Sequence, residues 1–170
     1  VTGEAVYYLT GDSITKGAEF ESNIFLVKGL NLYLNGTVGQ AKYVASGLYV
    51  ANAPQNTETV GLTYQHKSWD VGFFNKRVGN MWNDNGSTNQ AVEISPFNIT
   101  NLFFNYTVKE SRLRGTKFRF GINNLFNQHN IIGVTPASTS TSVPSPGDTL
   151  LLVPARSFSV TMTAGYSPKR

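Results

Sequence analysis

The sequence has no cysteine, two histidines, two methionines and little charge of either sign. With no Cys among 170 residues, a disulfide scaffold and a thiolate metal site are both excluded. Two histidines, His66 and His129, fall short of the three or four convergent ligands that zinc takes. No metal and no other cofactor is therefore expected. Neither histidine has the nucleophile and acid spacing of a catalytic triad around it, so no catalytic residue is assigned and no enzyme is expected. Asp, Glu, Lys and Arg make up 14% of the chain, against about 25% in an ordinary soluble domain. No apolar run exceeds a few residues, which excludes a transmembrane helix. The first residues, Val1-Thr2-Gly3-Glu4, show neither an initiating Met nor a basic signal region. An exported protein is then expected to be a mature form or a fragment.

Polarity comes instead from neutral side chains: 17 Asn, 17 Thr and 14 Ser, beside 16 Gly. These residues are poor in helix interiors, which counts against a helical bundle. Aromatic residues at 12%, regularly spaced among polar ones, do not fit a disordered chain. The net charge is +4 with a sequence pI near 9.4, but Lys and Arg are scattered, so no nucleic-acid partner is expected.

Apolar residues recur at every second position, the signal of strands. Phe158, Val160, Met162, Ala164 and Tyr166 alternate with Ser157, Ser159, Thr161, Thr163 and Gly165. Phe118, Phe120 and Ile122 alternate with Lys117, Arg119, Gly121 and Asn123, and Leu102, Phe104, Tyr106 and Val108 with Asn101, Phe103, Asn105 and Thr107. Val60, Leu62 and Tyr64 face away from Thr59, Gly61 and Thr63; Leu30, Leu32 and Leu34 face away from Asn31, Tyr33 and Asn35. Glu19, Glu21 and Asn23 share one face of a strand whose other face holds Phe20, Ser22 and Ile24. The pattern predicts about eight antiparallel strands, near 4–10, 17–27, 30–43, 57–64, 70–78, 98–108, 116–126 and 156–166. Each is expected to pair with its sequence neighbours.

Short or charged links (Lys28-Gly29, Gln65–Trp69, Lys109–Gly115) alternate with long ones rich in Asn, Ser, Gly and Pro (Val44–Gln55, Gly79–Pro96, Gln128–Thr149). In an up-and-down meander this puts the short turns at one end and the long loops at the other. Outer-membrane barrels have this form, with an apolar face toward lipid, a polar face toward the lumen and aromatic girdles at the interfaces. Tyr64, Tyr106 and Tyr166 end apolar faces at the short-turn side, and Trp69 lies in a short link. The all-β class is thus an antiparallel up-and-down meander, with a soluble sandwich as the alternative. A sandwich normally carries more Lys and Glu outside than this chain has. On the barrel reading Leu32, Leu62, Phe104, Phe120, Val160 and Met162 face lipid, and Asn31, Thr63, Asn105, Arg119 and Thr161 face the lumen. The first strand and the last are expected not to close on each other, because the mostly small polar inward set does not fill a narrow eight-stranded barrel.

Asn123-Asn124-Leu125-Phe126-Asn127 resembles the penultimate-strand signature of TonB-dependent outer-membrane receptors. Lys16-Gly17-Ala18-Glu19-Phe20-Glu21, Ala53-Pro54-Gln55-Asn56-Thr57, Asn75-Lys76-Arg77-Val78-Gly79 and Pro154-Ala155-Arg156-Ser157 match other strand borders of that family in order. Ala155 stands where the family has Gly, and Ser167-Pro168-Lys169-Arg170 follow Tyr166, where the family usually stops on an aromatic. Pro168 has no N–H for a ladder, so the last strand is expected to end near Tyr166. The resemblance implies that residues 1–170 are the C-terminal segment of a 22-stranded transmembrane barrel, without the plug domain. It implies residence in the outer membrane of a Gram-negative bacterium, in contact with its lipid. It implies energy-coupled uptake of a scarce small-molecule ligand such as a siderophore, vitamin or oligosaccharide. The partners it implies are the receptor's own plug domain and an energy-transducing inner-membrane protein. Alternatives are a complete small eight-stranded barrel with a structural or adhesion role, and a soluble carbohydrate-binding sandwich.

Two groups of site residues stand out. Trp82, Asn83, Asp84 and Asn85 lie in a long link. An aromatic flanked by amide side chains can stack on a sugar or chelate ring and bond its rim; the alternative is a flexible loop with an interfacial Trp. Glu19, Glu21, Lys117 and Arg119 are expected to face the lumen, the glutamates balanced by Lys117, Arg119 or Lys76. The sequons at Asn35, Asn85, Asn98 and Asn105 are expected by chance in a chain this rich in Asn, Ser and Thr.

Overall fold

The computed structural model describes residues 12–84, 91–109, 113–135 and 147–165. The predicted strand at 4–10 and residues Asn85 and Tyr166 lie outside the described residues. Seven long strands form one antiparallel sheet: β1 (Ser13–Val27), β2 (Leu30–Tyr43), β3 (Asn56–His66), β4 (Trp69–Val78), β7 (Phe97–Thr107), β8 (Lys117–Asn123) and β11 (Ser157–Thr163). Each pairs with the next in this order, and β1 and β11 do not pair with each other. The alternation therefore places seven of the expected strands. No helix among the described residues is long and apolar enough to cross a membrane, which leaves crossing by strands open.

Two corrections concern the long links. Gly79–Pro96 carries the hairpin β5 (Met81–Asp84) and β6 (Ala91–Ile94), and Gln128–Thr149 begins the hairpin β9 (Ile131–Thr135) and β10 (Thr149–Leu152). Four- and five-residue strands are too short for alternation to declare itself. A third correction is at the end of β8. The strand stops at Asn123, three residues before the expected limit, because Asn124 and Asn127 take left-handed φ of 51° and 52° and turn the chain. Trp69 is the first residue of β4 rather than part of the link, so the turn there shrinks to Lys67-Ser68, with Lys67 at φ 51°.

The register sorts the side chains. Residues directly opposite in an antiparallel ladder share a face. One row runs Ile24–Leu32–Leu62–Phe73–Leu102–Ile122–Phe158 across all seven strands, without a polar side chain. The next row on that face runs Tyr64–Val71–Phe104–Phe120–Val160, and the next His66–Trp69–Tyr106–Phe118–Met162. Trp69 packs 4.3 Å from Tyr106 and 4.9 Å from Phe104, ring centre to ring centre. On the opposite face, Asn31 meets Thr63, and Asn105, Arg119 and Thr161 lie in one row. The expected faces are therefore those of the molecule. The apolar side stays uncovered: Phe158 and Val160 are 72% and 70% exposed. Water is the wrong solvent for such a surface; lipid is the right one.

The polar upper limit of this face is stepped. On β4 and β7 the row above the apolar one already carries Asn75, hydrogen-bonded to Thr100, and Glu58, Arg77 and Asn98 stand together in the next row. On β2 and β1 that row holds Gly36 and Phe20, and the polar residues Gln40 and Lys16 face each other four residues further along.

Close approaches explain one turn and a paved wall. Gly29, at φ 84°, closes the β1–β2 turn, and a Cβ there would stand 2.2 Å from the Gln65 carbonyl oxygen. On the inner face the Phe74 ring lies over Gly61 and the Phe103 ring over Gly72, where a Cβ would come within 2.3 and 2.2 Å of ring carbons. Phe74 stands 6.0 Å from Phe103 and 6.2 Å from Tyr33, so the polar face carries an aromatic strip at mid-height. The small buried core sits at the long-loop end of this inner face. There Met81, Ile94, Phe97 and Val153 pack with Val78, Ile99 and Ile132.

Candidate functional site

Met81 anchors β5 in that core at 7% exposure, and the next residue, Trp82, takes up a different contact. Its ring stacks on Tyr49 at 4.0 Å with planes 6° apart. The Lys42 Nζ sits 4.6 Å from the centre of the Tyr49 ring. Lys42 and Tyr49 are bridge partners, and Lys42 lies opposite Ile14 on the outward face. The stack of Lys42, Tyr49 and Trp82 thus continues the outward side above the apolar band, with one face of Trp82 already covered. The Asn52 N–H donates to the Trp82 carbonyl at 2.7 Å. Asn83 Nδ2 donates to the Val134 carbonyl and ties the β5–β6 hairpin to β9. Asp84 pairs with Ala91 through the backbone, and Asn85 lies outside the described residues. Trp82 and Asn83 therefore contribute to the packing of the loops.

A hollow of about 450 Å³ opens between the two hairpins, lined by Glu93, Ile94, His129, Asn130, Ile131 and Leu150 among others. Asn80 Nδ2 donates to the Glu93 carboxylate, and the Asn130 Oδ1 is buried without a partner. Apolar walls with a few polar groups are the ordinary make-up of a small-molecule site. Sequence reasoning missed this hollow because its walls come from two hairpins distant in the chain, neither of which shows alternation.

The base of the β9–β10 loop is held by the asparagines of the 123–127 stretch. Asn124 is 3% exposed. Its Nδ2 donates to the carbonyls of Gln128 (2.9 Å) and Pro154 (2.8 Å), and its Oδ1 accepts from the Gln128 N–H at 2.8 Å. The Arg156 N–H donates to Asn127 Oδ1 at 2.9 Å, and Asn127 Nδ2 lies 2.9 Å from His129 Nε2. One short stretch thus clamps the chain leaving β8 to the chain returning into β11. Its role is architectural, since every polar atom of the Asn124 amide is spent on backbone.

The lumen-facing group falls into two places. Glu19 and Glu21 lie opposite Thr37 and Asn35 on the face that also carries Lys76. Lys117 and Arg119 lie toward the short-turn end, opposite Thr107 and Asn105. The sheet does not bring them to the glutamates: the one ion pair among the described residues is Arg77–Glu58, at 3.4 Å on the outward face. Of the cations expected to balance Glu19 and Glu21, Lys76 shares a row with Glu21 through Asn35 and Thr59, whereas Lys117 and Arg119 stand on β8, five strands along the sheet from β1. Beside Arg119, Asn105 Nδ2 donates to Asp70 Oδ2 at 3.0 Å. Gln65, Lys67, Asp70, Asn105, Lys109, Lys117 and Arg119 share the lining of one hollow of about 300 Å³.

Comparison with known proteins accords with this wall. The ferric-catecholate import receptor Fiu of E. coli K12, in its closed form, superposes with a TM-score of 0.63 at 18% identity, over 95% of this chain and 22% of that one. The ferric enterobactin receptor PfeA of Pseudomonas aeruginosa gives 0.68 at 19% identity, over 89% of this chain and 22% of that one. The copper transporter OprC gives 0.65 at 17% identity, over 87% and 23%. At such identities the likeness is one of fold, and the chain spans about a fifth of each of these proteins. No curated protein matches the sequence significantly. The family model described as TonB dependent receptor-like, beta-barrel matches residues 2–125. The chain belongs to this family of TonB-dependent outer-membrane receptor barrels.

Proposed function

We propose that the chain is the C-terminal part of the wall of a receptor barrel of about 22 strands, whose lumen is closed by a plug domain of the same polypeptide. The receptor takes up a scarce small molecule across the outer membrane, driven by an energy-transducing protein of the inner membrane. The observation that carries this reading is the unbroken apolar row from Ile24 to Phe158, on a sheet with β1 and β11 unpaired to each other. Such a sheet needs lipid on one side and further strands at both edges. The named neighbours, import receptors for ferric catecholate and ferric enterobactin and a copper transporter, support a metal-carrying ligand over a vitamin or an oligosaccharide. The ligand meets the long-loop end, at the hollow between the hairpins, with Trp82, Asn83, Asp84 and Asn85 as candidate contacts from the link that carries one of them.

Labelled-ligand uptake by cells expressing the full-length receptor tests this. A panel of a ferric siderophore, cobalamin and a malto-oligosaccharide should show accumulation of the first, abolished when a protonophore collapses the proton-motive force. Uptake of none of them, or uptake indifferent to the protonophore, contradicts the proposal.

A further inference from the structure

The inner face near the short turns collects cations without their counter-ions. Lys117 and Arg119 are neighbours on one face of β8, Lys109 follows β7 on the same face, and Lys67 sits in the β3–β4 turn. All four line the hollow of about 300 Å³, and all four are exposed. The one carboxylate there, Asp70, is occupied by the Asn105 amide at 3.0 Å. No ion pair among the described residues involves any of the five. Like charges on the same face of neighbouring strands repel, so the cluster is a field waiting for an anionic surface.

We propose that this basic crescent is the seat of an acidic polypeptide segment held inside the lumen, namely a stretch of the plug domain carrying at least two closely spaced carboxylates. This rests on the reading of the chain as the wall of a plugged barrel. Charge and exposure select the occupant. Exposed cations hold a free anion weakly in salt water. The same contacts become effective for a partner tethered to the wall, whose effective concentration reaches the millimolar range. Asp70, Gln65, Asn105 and Thr107 add acceptors and amide groups beside the cations. A bare phosphate is repelled by the first and gains little from the rest, whereas a peptide brings carboxylates to the lysines and Arg119 and backbone N–H groups to the oxygens of Gln65 and Thr107. The face is the inner one, turned from the lipid, which removes a membrane headgroup from its reach.

The test is a benzophenone amino acid at Thr107, between Asn105 and Lys109, in the full-length receptor in outer membranes, without ligand and without energy. Irradiation and mass spectrometry should find an intramolecular crosslink to a plug peptide with two or more Asp or Glu within about six residues. The double charge reversal Lys117→Glu/Arg119→Glu should lower its yield at least tenfold. The neutral pair Lys117→Gln/Arg119→Gln should give an intermediate loss, and Lys76→Glu no change. Heat-modifiable migration in gels checks that each variant is folded, and the neutral pair serves if the reversal does not fold. Crosslinking to lipopolysaccharide, to a basic or uncharged peptide, or to nothing overturns the proposal, as does a yield unmoved by both double variants. Adducts only to other polypeptides, with no partner in the receptor itself, overturn the plugged-barrel reading beneath it. Failure of the uptake assay alone touches neither crosslinking result.

Discussion

An arginine at position 62 should unfold the wall, and the same arginine one residue further on should be tolerated. Leu62 sits between Leu32 and Phe73 in the row that is apolar across all seven strands. It lies four residues from Glu58, where the face turns polar, and four from His66 in the aromatic row beside the short turn. Each distance is about 13 Å along the strand, or about 10 Å along the membrane normal at a tilt of about 40°. Leu62 therefore lies near the middle of the apolar band, where an arginine in a membrane barrel costs about 2–4 kcal/mol. That is about a 30- to 900-fold loss in the folding equilibrium at 1.36 kcal/mol per factor of ten. Thr63 lies on the opposite face, between Asn31 and Gly72, where the long side chain reaches the polar lumen and the change should stay within about 0.5 kcal/mol. His66→Arg, at the interface, should cost about 0–1 kcal/mol. The assay is refolding of the full-length receptor into phospholipid vesicles along a urea series, scored by heat-modifiable migration. If Thr63→Arg costs as much as Leu62→Arg, the register is shifted by one and every face assigned to β3 is inverted.

Other consequences follow from particular contacts. Asn124→Ala should destabilise by about 1–3 kcal/mol, since two carbonyls and one N–H lose the partner that the buried Asn124 amide gives them. Asn124→Gly should be milder by about 1 kcal/mol, because Gly accepts the left-handed φ; protease nicking of the 128–152 loop reads both. Gly61→Ala drives a methyl into the Phe74 ring and should cost about 1–3 kcal/mol. In a Phe74→Ala background the same change should be nearly neutral, as a double-mutant cycle of unfolding energies would show. With only Trp69 and Trp82 in the chain, quenching by brominated lipid in a receptor stripped of other tryptophans should vanish in Trp69→Phe and persist in Trp82→Phe. Trp82→Ala should also loosen the loop cluster, since a stacked aromatic pair contributes about 0.5–1.5 kcal/mol beyond its area; faster amide exchange at residues 48–52 is the measure.

The long strands and their faces were legible because a half-buried strand writes its surroundings into alternate residues, and seven strands repeated the message. Glu19 and Glu21, Lys117 and Arg119 were placed on the inner face for the same reason. What alternation could not say was which strands lie near which, so Lys117, Arg119 and Lys76 were all expected as partners of the glutamates, and the sheet puts only Lys76 in a row with Glu21. Trp82 was visible as an aromatic in a polar link, but Tyr49, which covers its ring, lies more than thirty residues earlier and carried no signal. The strand was expected to run to 126 because the 123–127 stretch resembles a signature of the family's penultimate strand, whereas left-handed φ at Asn124 and Asn127 ends the ladder.

The sequence by itself determined the class of the molecule: an antiparallel meander with a lipid side and a polar side. That information is local, held in period-two spacing and in the scarcity of charge, and each strand carries it independently. Only the tertiary structure decided the rest. The stepped polar boundary depends on register between strands, the core of Met81, Ile94, Phe97 and Val153 on how hairpins fold back over the sheet, and the clamp at Asn124 on two chain segments meeting. The basic crescent is of the same kind, since Lys67, Lys109, Lys117 and Arg119 come from three separate places in the chain. Contacts between residues far apart in sequence arise from closure of the chain in space, and no pattern along a single strand encodes them.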